Sequence, residues 1–185
     1  MLPIGQLMIE HRLIERMVAL LVRARDELEP SREAKPPLLR AAADFMTSYG
    51  DHCHHGKEED ILFRRLADKD LTVAHREVLE LLVGEHRLAR EAVATLQAAT
   101  ELYADGDPAA LSRIEGALQE LTQLYPAHIS REDREFFRPC MEYFSPTELG
   151  QMVEDFTEFD RHLVHETYQT EVAGLESRWP VAARA

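Results

Sequence analysis

The sequence predicts an all-α protein, an up-down-up-down four-helix bundle with an additional C-terminal helix. Apolar residues recur at spacings of three and four along almost the whole chain, which is typical of amphipathic helices. Strand-type alternation is absent, and helix-start signals separate the helical stretches. The 185 residues are enough for one domain with a sizeable core, so we expect a single domain over residues 1–185.

The four bundle helices are delimited by the points where the apolar periodicity starts and stops. The first helix ends near Leu28, before the segment EPSREAKPP, and the fourth begins after the break ADGDPAA. Short connections between long helices favour antiparallel neighbours. The expected ranges within a core at about 5–143 are about 5–28, 38–66, 73–103 and 107–143.

Two capping signals support these boundaries. Asp107 followed by Pro108 supplies an N-cap and a first-turn proline for the fourth helix. The residues SPTE, from Ser145 to Glu148, form a capping box that opens the additional C-terminal helix. We expect that helix to cover about residues 145–175.

Several helix-breaking residues fall inside the predicted helices. They are Gly50, Gly56, Gly84 and Pro126. A glycine costs about 1 kcal/mol relative to alanine inside a helix and a proline about 3 kcal/mol. Residues that break local rules gather at functional sites, although close helix contact alone could also require the glycines.

Composition and charge limit the function classes. The net charge is −13 and the pI about 5.1, so the surface would repel phosphate backbones and anionic lipid. We therefore expect neither nucleic acid nor membrane partners. No apolar run approaches the roughly 18 residues that span a bilayer. The start MLPIGQLMIEH lacks the pattern of a secretory signal, and only two cysteines occur, so the expected location is cytoplasmic.

Four histidines, one on each bundle helix, are expected at the same height. His11 and His55 each lie about 22 residues from the first connection, or about 33 Å along their helices. His55 and His86 are level to within roughly 2 Å around the second connection, and His86 and His128 to within about 3 Å around the third. Chance is a poor explanation for four histidines at one level, so we expect them to converge.

Two of these histidines have a glutamate one helical turn later. His55 is followed by Glu59 and His128 by Glu132, and residues at i and i+4 share a helix face. Inward carboxylates and imidazoles from four helices are the ligands of di-metal carboxylate proteins. A structural zinc site would stop at four ligands and favour cysteine. Nitrogen and oxygen ligands for two metals indicate iron or manganese before zinc.

Other interpretations of these residues remain open. The pair His55 and Glu59 could be a solvated surface pair, and His11 could be exposed. His54 points about 100° from His55 on a regular helix, so it is expected outside the ligand set or at the surface. His52 could share the inward face one turn away, and His75 is expected to be exposed. His162 and His165, on the C-terminal helix, could cover the site, and Cys53 is expected to face away from His55.

The segments MIEHRLIE, HHGKEEDILF, VGEHRLAR and YPAHISREDREFF, in that order, resemble the hemerythrin-like HHE cation-binding family. The resemblance covers roughly residues 5–143 and implies a four-helix bundle around two non-heme iron ions, oxo-bridged when oxidised, with manganese or zinc as substitutes. It implies that the two glutamates bridge the metals, that His11 and His128 serve one iron and that His55 and His86 serve the other. The implied metal ligands are His11, His55, Glu59, His86, His128 and Glu132.

The sequence also departs from the oxygen-carrying members of that family. They have a second histidine four residues after the third-helix ligand, where Arg90 stands. They also have an aspartate five residues after the last histidine, a place that Asp133 could fill, whereas Glu132 makes a pair with His128 that matches His55 and Glu59. Four histidines with two glutamates are closer to members linked to iron–sulfur repair and nitric-oxide response. The resemblance therefore favours redox chemistry with an open iron position over reversible oxygen carriage.

The expected function is that of a non-heme di-iron protein that binds or responds to O2, peroxide or nitric oxide, in stress sensing or detoxification. A peroxidase-like activity is one form of this hypothesis, and the pattern shows no pocket for an organic substrate. The alternatives are an iron donor or repair protein for iron–sulfur centres, an iron store, and a metal-free helical interaction module. The expected partner is a small molecule, and the chain would be a monomer or a homodimer.

Overall fold

The computed structural model describes residues 2–31, 33–160 and 164–180, which are helical apart from short turns and contain no strand. The fold class predicted from the sequence is confirmed. The α-helices are α1 (Ile4–Ser31), α2 (Pro36–Phe45), α3 (Arg64–Ala67), α4 (Val73–Ala104), α5 (Ala110–Arg131), α6 (Phe137–Cys140), α7 (Pro146–Phe159) and α8 (Val164–Arg178).

Two of the four long helices contain π-helical segments, in which each turn holds an additional residue. The segments Met46–His55 and Glu58–Phe63 join α2 to α3 into one helix, and Glu132–Phe136 joins α5 to α6, which a 3-10 turn at Met141–Tyr143 ends. π-Helical turns are rare in proteins, and those that do occur are often found at functional sites. These segments carry or adjoin the histidine–glutamate motifs of the sequence.

The bundle is a ring of four neighbouring helices. α1 contacts α5, α5 contacts α4, α4 contacts α2, and α2 contacts α1. Each pair of sequence neighbours is joined by a short connection, which gives the up-down-up-down order expected for such a bundle. None of the described helices combines the length and apolar character needed to cross a bilayer.

The apolar core is divided into two clusters with a polar layer between them. On α1, Leu7 belongs to one cluster and Ile14 to the other, and His11 lies between them in the sequence. On α4, Leu82 and Ala89 flank His86 in the same way. The histidines that the sequence predicts at one height therefore interrupt the core at one level.

The C-terminal part differs from the single helix that the sequence predicts. The capping box of Ser145 and Glu148 is present and starts α7, but α7 ends at Phe159, with Asp160 as its C-cap, and α8 follows it. Residues 161–163, including His162, lie outside the described residues. At the start of α5, Asp107 accepts a hydrogen bond from the Ala109 backbone N–H at 2.9 Å, and the helix begins at Ala110.

Candidate metal centre

Five imidazoles and two carboxylates meet in the polar layer, and we call these seven side chains the histidine–glutamate centre. Nine of their atoms are buried and have no hydrogen-bond partner among the described residues: five Nε2 nitrogens and both oxygens of each carboxylate. Buried polar atoms in proteins are almost always paired. The members of the centre are His11, His54, His55, Glu58, His86, His128 and Glu132.

The first part of the centre, the two-imidazole group, consists of His11, His54, Glu58 and Glu132. One ligand atom from each lies within 4.8 Å of every other. The His11 Nε2 is 3.2 Å from Glu132 Oε2, and the His54 Nε2 is 3.5 Å from Glu58 Oε1. All four side chains are at most 2% exposed, so a cation among these atoms would be screened from water.

The second part, the three-imidazole group, consists of His55, Glu58, His86 and His128, again with one ligand atom of each within 4.8 Å of every other. The His86 Nε2 is 3.3 Å from Glu58 Oε2. The rings of His55 and His86 stack with their centroids 3.9 Å apart. This group therefore offers one imidazole more than the two-imidazole group.

The two carboxylates connect the groups. Glu58 directs Oε1 to His54 of the first group and Oε2 to His86 of the second. Glu132 Oε2 is 3.2 Å from both His11 and His128. Glu58, with one oxygen toward each group, can bridge two cations, and Glu132 reaches both groups through Oε2, so the geometry suits two metal ions.

Each imidazole of the centre has its other nitrogen, Nδ1, against a carboxylate oxygen. A carboxylate on Nδ1 fixes the tautomer and the ring orientation, so that Nε2 remains free to bind a metal. This arrangement is the common outer environment of metal-binding histidines. The five contacts are His11–Asp133 at 2.7 Å, His54–Glu10 at 2.9 Å, His55–Asp51 at 3.3 Å, His86–Glu59 at 2.6 Å and His128–Glu85 at 2.9 Å.

The five carboxylates that contact the Nδ1 atoms, which we call the outer carboxylates, are each paired with a cationic side chain. Arg90 donates to Asp51 at 2.7 Å and to Glu59 at 2.8 Å, and Arg131 donates to Glu85 at 2.6 Å. Ion pairs of this kind hold the carboxylates in place. The remaining pairs are Arg12 with Asp133 and Lys57 with Glu10.

The pKa values show how strongly the carboxylates act on the imidazoles. Burial lowers the pKa of His11, but the hydrogen bond to Asp133 and the nearby Glu132 outweigh it and raise the pKa to about 10. Burial also lowers the pKa of His86, but the nearby Glu58 and the hydrogen bond to Glu59 outweigh this effect and raise the pKa to about 9. At His55, burial and the neighbouring imidazoles lower the pKa. The site attracts positive charge, which favours cation binding.

Five of the six ligands expected from the sequence meet in the centre, and Glu59 does not. They are His11, His55, His86, His128 and Glu132. The Glu59 side chain is 29% exposed, and its carboxylate accepts from His86 Nδ1 and Arg90 outside the centre. Glu58 stands where the sequence predicts Glu59.

His54 and Glu58 are not among the ligands that the sequence predicts. On a regular α-helix His54 lies about 100° from His55. In the structure both histidines face inward from the end of the π-helical segment Met46–His55, one toward each group. The adjacent histidines and adjacent glutamates contain two i, i+4 pairs, His54 with Glu58 and His55 with Glu59. The spacing alone therefore does not decide which pair faces inward.

Although Arg90 stands where the oxygen carriers of the family have a histidine, the three-imidazole group still contains three histidines. Its guanidinium lies outside the centre, and His55 from the second helix joins His86 and His128. The structure therefore groups His11 with His54, whereas the family resemblance implies His11 with His128. Asp133 lies on the His11 Nδ1 and does not enter the centre.

The other polar residues of the sequence have separate positions. His52 is exposed, and His75 contacts the Tyr143 hydroxyl at 2.8 Å. A further group of possible metal ligands consists of Glu10, Cys53, Asp160 and His165. The buried ammonium of Lys57 already lies among them, paired with Glu10 and 2.6 Å from Asp160. The Lys57 ammonium therefore connects Asp160, at the end of α7, with Glu10, the carboxylate that contacts His54 Nδ1.

Comparison with known proteins agrees with this geometry. Neither curated proteins nor solved structures gave a match to the chain. The Hemerythrin HHE cation binding domain matches residues 2–140, which is most of the chain and includes all seven members of the centre. The chain belongs to the hemerythrin HHE cation-binding domain family and shares its cation-binding character.

Proposed function

We propose that the histidine–glutamate centre holds two iron ions and that the protein binds or responds to O2, peroxide or nitric oxide through them. The observation that carries this proposal is the set of nine buried nitrogen and oxygen atoms without a hydrogen-bond partner among the described residues. Leaving a buried polar group unpaired costs about 1–3 kcal/mol. Two cations would satisfy all nine atoms at once.

The ligand chemistry supports iron over a structural zinc ion. Neither the two-imidazole group nor the three-imidazole group contains a cysteine. Structural zinc sites favour cysteine and stop at four ligands. The shared carboxylates Glu58 and Glu132 instead join two adjacent positions, as in the di-iron and di-manganese carboxylate proteins. Bound iron would supply redox chemistry with the small molecule.

The difference between the groups suggests where that small molecule enters. The three-imidazole group provides His55, His86 and His128, whereas the two-imidazole group provides only His11 and His54. The position with fewer protein donors has more room for an external ligand. Because the seven side chains are at most 2% exposed, only a very small molecule fits, which favours diatomic gases and peroxide.

Burial also weighs against iron storage or delivery as the main role. Every imidazole of the centre is anchored through Nδ1 to a carboxylate, and those carboxylates pair with arginine or lysine. Such a fixed set of ligands retains its metal more readily than it releases it. We therefore place redox chemistry with a small molecule ahead of iron donation.

The test uses iron-loaded protein that has been reduced without oxygen and then mixed separately with O2, peroxide and nitric oxide. The expected result is a change in the visible spectrum with at least one of them. The His54→Gln variant should lose iron or lose the response. The matched control is His52→Gln, which changes an exposed histidine two residues away and should behave like the wild type. An iron-loaded wild type that responds to none of the three reagents would overturn the proposal.

A further inference from the structure

A cavity of about 190 Å³ is lined by His55 and by Asp51, the carboxylate on its Nδ1, and by none of the other six members of the centre. It is bounded by the helix that continues from α2, by α4 and by α5. The sequence pattern gives no sign of such a space. Its lining residues are Met46, Thr47, Asp51, His55, Ala89, Arg90, Val93, Ala94, Gln97 and Tyr125.

The cavity has an apolar interior and an open mouth. Met46, Ala89 and Val93 are at most 5% exposed and form the interior wall. Ala94 and Gln97 are exposed and mark the mouth. The interior therefore favours an apolar ligand that can enter from the surface.

A tyrosine hydroxyl lines this interior. The Tyr125 side chain is 1% exposed, and none of the hydrogen bonds found among the described residues involves its hydroxyl. Its ring is nearly parallel to that of His55, at 6.3 Å between centroids. A buried tyrosine hydroxyl normally finds a hydrogen-bond partner, so a ligand with a hydroxyl would supply what the protein does not.

The charges around the cavity disfavour an anion. Arg90 is the cation among the lining residues, and it donates to Asp51 at 2.7 Å and to Glu59 at 2.8 Å. With two carboxylates on one guanidinium, the local charge is not positive. An uncharged ligand is therefore preferred over a carboxylate of similar size.

We propose that this cavity binds one small, uncharged organic molecule of the size of a phenol, with its hydroxyl on the Tyr125 hydroxyl. An apolar protein cavity of about 150 Å³ is large enough to bind benzene, so the present volume accommodates one ring and a hydroxyl. This binding site does not depend on the metal. The ligand would pack against His55.

The test measures the binding of phenol, toluene and benzoate to the full-length protein by ligand-observed NMR, as purified and after metal removal. Phenol should bind in both forms at one site per chain, more tightly than toluene, and benzoate should bind least. The Tyr125→Phe variant should weaken phenol binding by about fivefold, the equivalent of one hydrogen bond. Its toluene binding should be unchanged.

A second pair of variants distinguishes the cavity from surface adsorption. Ala94→Leu places a larger side chain at the mouth and should weaken the binding of both phenol and toluene. Ala98→Leu makes the same change on an exposed position of α4 outside the cavity and should have no effect. Absence of saturable phenol binding, or equal binding in the two leucine variants, would overturn the proposal. Neither result would bear on iron binding.

Discussion

Adjacent glutamates in the second helix have different partners. Both oxygens of Glu58 face imidazoles of the centre, whereas Glu59 accepts from His86 Nδ1 and Arg90. Glu58→Gln should therefore reduce the iron content from about two ions per chain to about one or fewer. Glu59→Gln should keep the stoichiometry and weaken affinity by about 10- to 100-fold, the usual cost of an outer partner.

Elemental analysis of the two variants, purified from the same iron-rich medium, checks this prediction. Circular dichroism confirms that both remain helical. If Glu59→Gln lost its iron and Glu58→Gln kept it, the assignment of the two residues would be reversed.

Proton release should accompany metal binding. The pKa values of His11 and His86, at about 10 and 9, lie above the ordinary 6.5, so both imidazoles are protonated at pH 7 without metal. The stabilisation that these charges give the metal-free fold is complete below pH 6.5 and is lost as the pH rises through 9 and 10. Because a metal requires neutral imidazoles, binding should release about two protons per chain at pH 7.

A pH indicator, read as Fe(II) is added without oxygen in weakly buffered solution, measures this release. The His52→Gln variant serves as the control because His52 is exposed. Proton release should decrease toward pH 10.5, and apparent metal affinity should rise. Uptake of iron at pH 7 with no protons released would contradict the charge states inferred for His11 and His86.

Some members of the centre can be predicted from the sequence and others cannot. His11, His86 and His128 were found from their equal heights, which depend only on helix rise and connection length. The choice between Glu58 and Glu59 depends on the local winding of the helix. Periodicity over a window of residues does not detect a π-helical segment, so the inward-facing residue was assigned one position too far along the chain.

At the scale of whole helices, Gly56 allows the second helix to approach α7. A Cβ atom at Gly56 would lie 2.9 Å from Phe159 Cζ, whereas one at Gly116 of α5 would meet nothing within 4 Å. Gly116→Ala should raise the free energy of unfolding by about 1 kcal/mol, the difference in helix propensity. Gly56→Ala should gain less than this, or lose stability, because Phe159 must move.

Urea unfolding of the wild type and the two alanine variants measures the difference. Gly116→Ala is the matched control because both glycines lie within long helices. If both substitutions stabilised the protein equally, the contact between α7 and the second helix would not constrain Gly56.

Helix boundaries were more predictable than helix winding. The breaks near residues 33, 70 and 106 coincide with proline- and glycine-containing or polar segments. The division of the C-terminal helix into α7 and α8 was missed because the capping signals in the sequence mark where α7 starts but not where it ends. Asp160, which ends α7, is held by the Lys57 ammonium from a distant part of the chain.

For the whole molecule, the centre links metal binding to stability. Nine buried atoms that have no hydrogen-bond partner among the described residues lie between the two apolar clusters, so a metal that satisfies them stabilises only the folded state. At a free metal concentration 100 times the dissociation constant, one site contributes about 2.7 kcal/mol. For a chain of this size the midpoint temperature should then rise by about 5–11 °C.

Thermal unfolding followed by circular dichroism, with and without a strong chelator, measures this effect. The Glu58→Gln variant should show a smaller difference between the two conditions. An unfolding temperature that does not depend on iron would mean that the metal does not bind within the bundle.

The most direct test of the central claim is a crystal structure of the iron-loaded protein with anomalous scattering measured at the iron edge. We predict two anomalous peaks between the apolar clusters, one in the two-imidazole group and one in the three-imidazole group, with Glu58 and Glu132 in contact with both. A single peak, or iron only among Glu10, Cys53, Asp160 and His165, would show that the centre does not hold two iron ions.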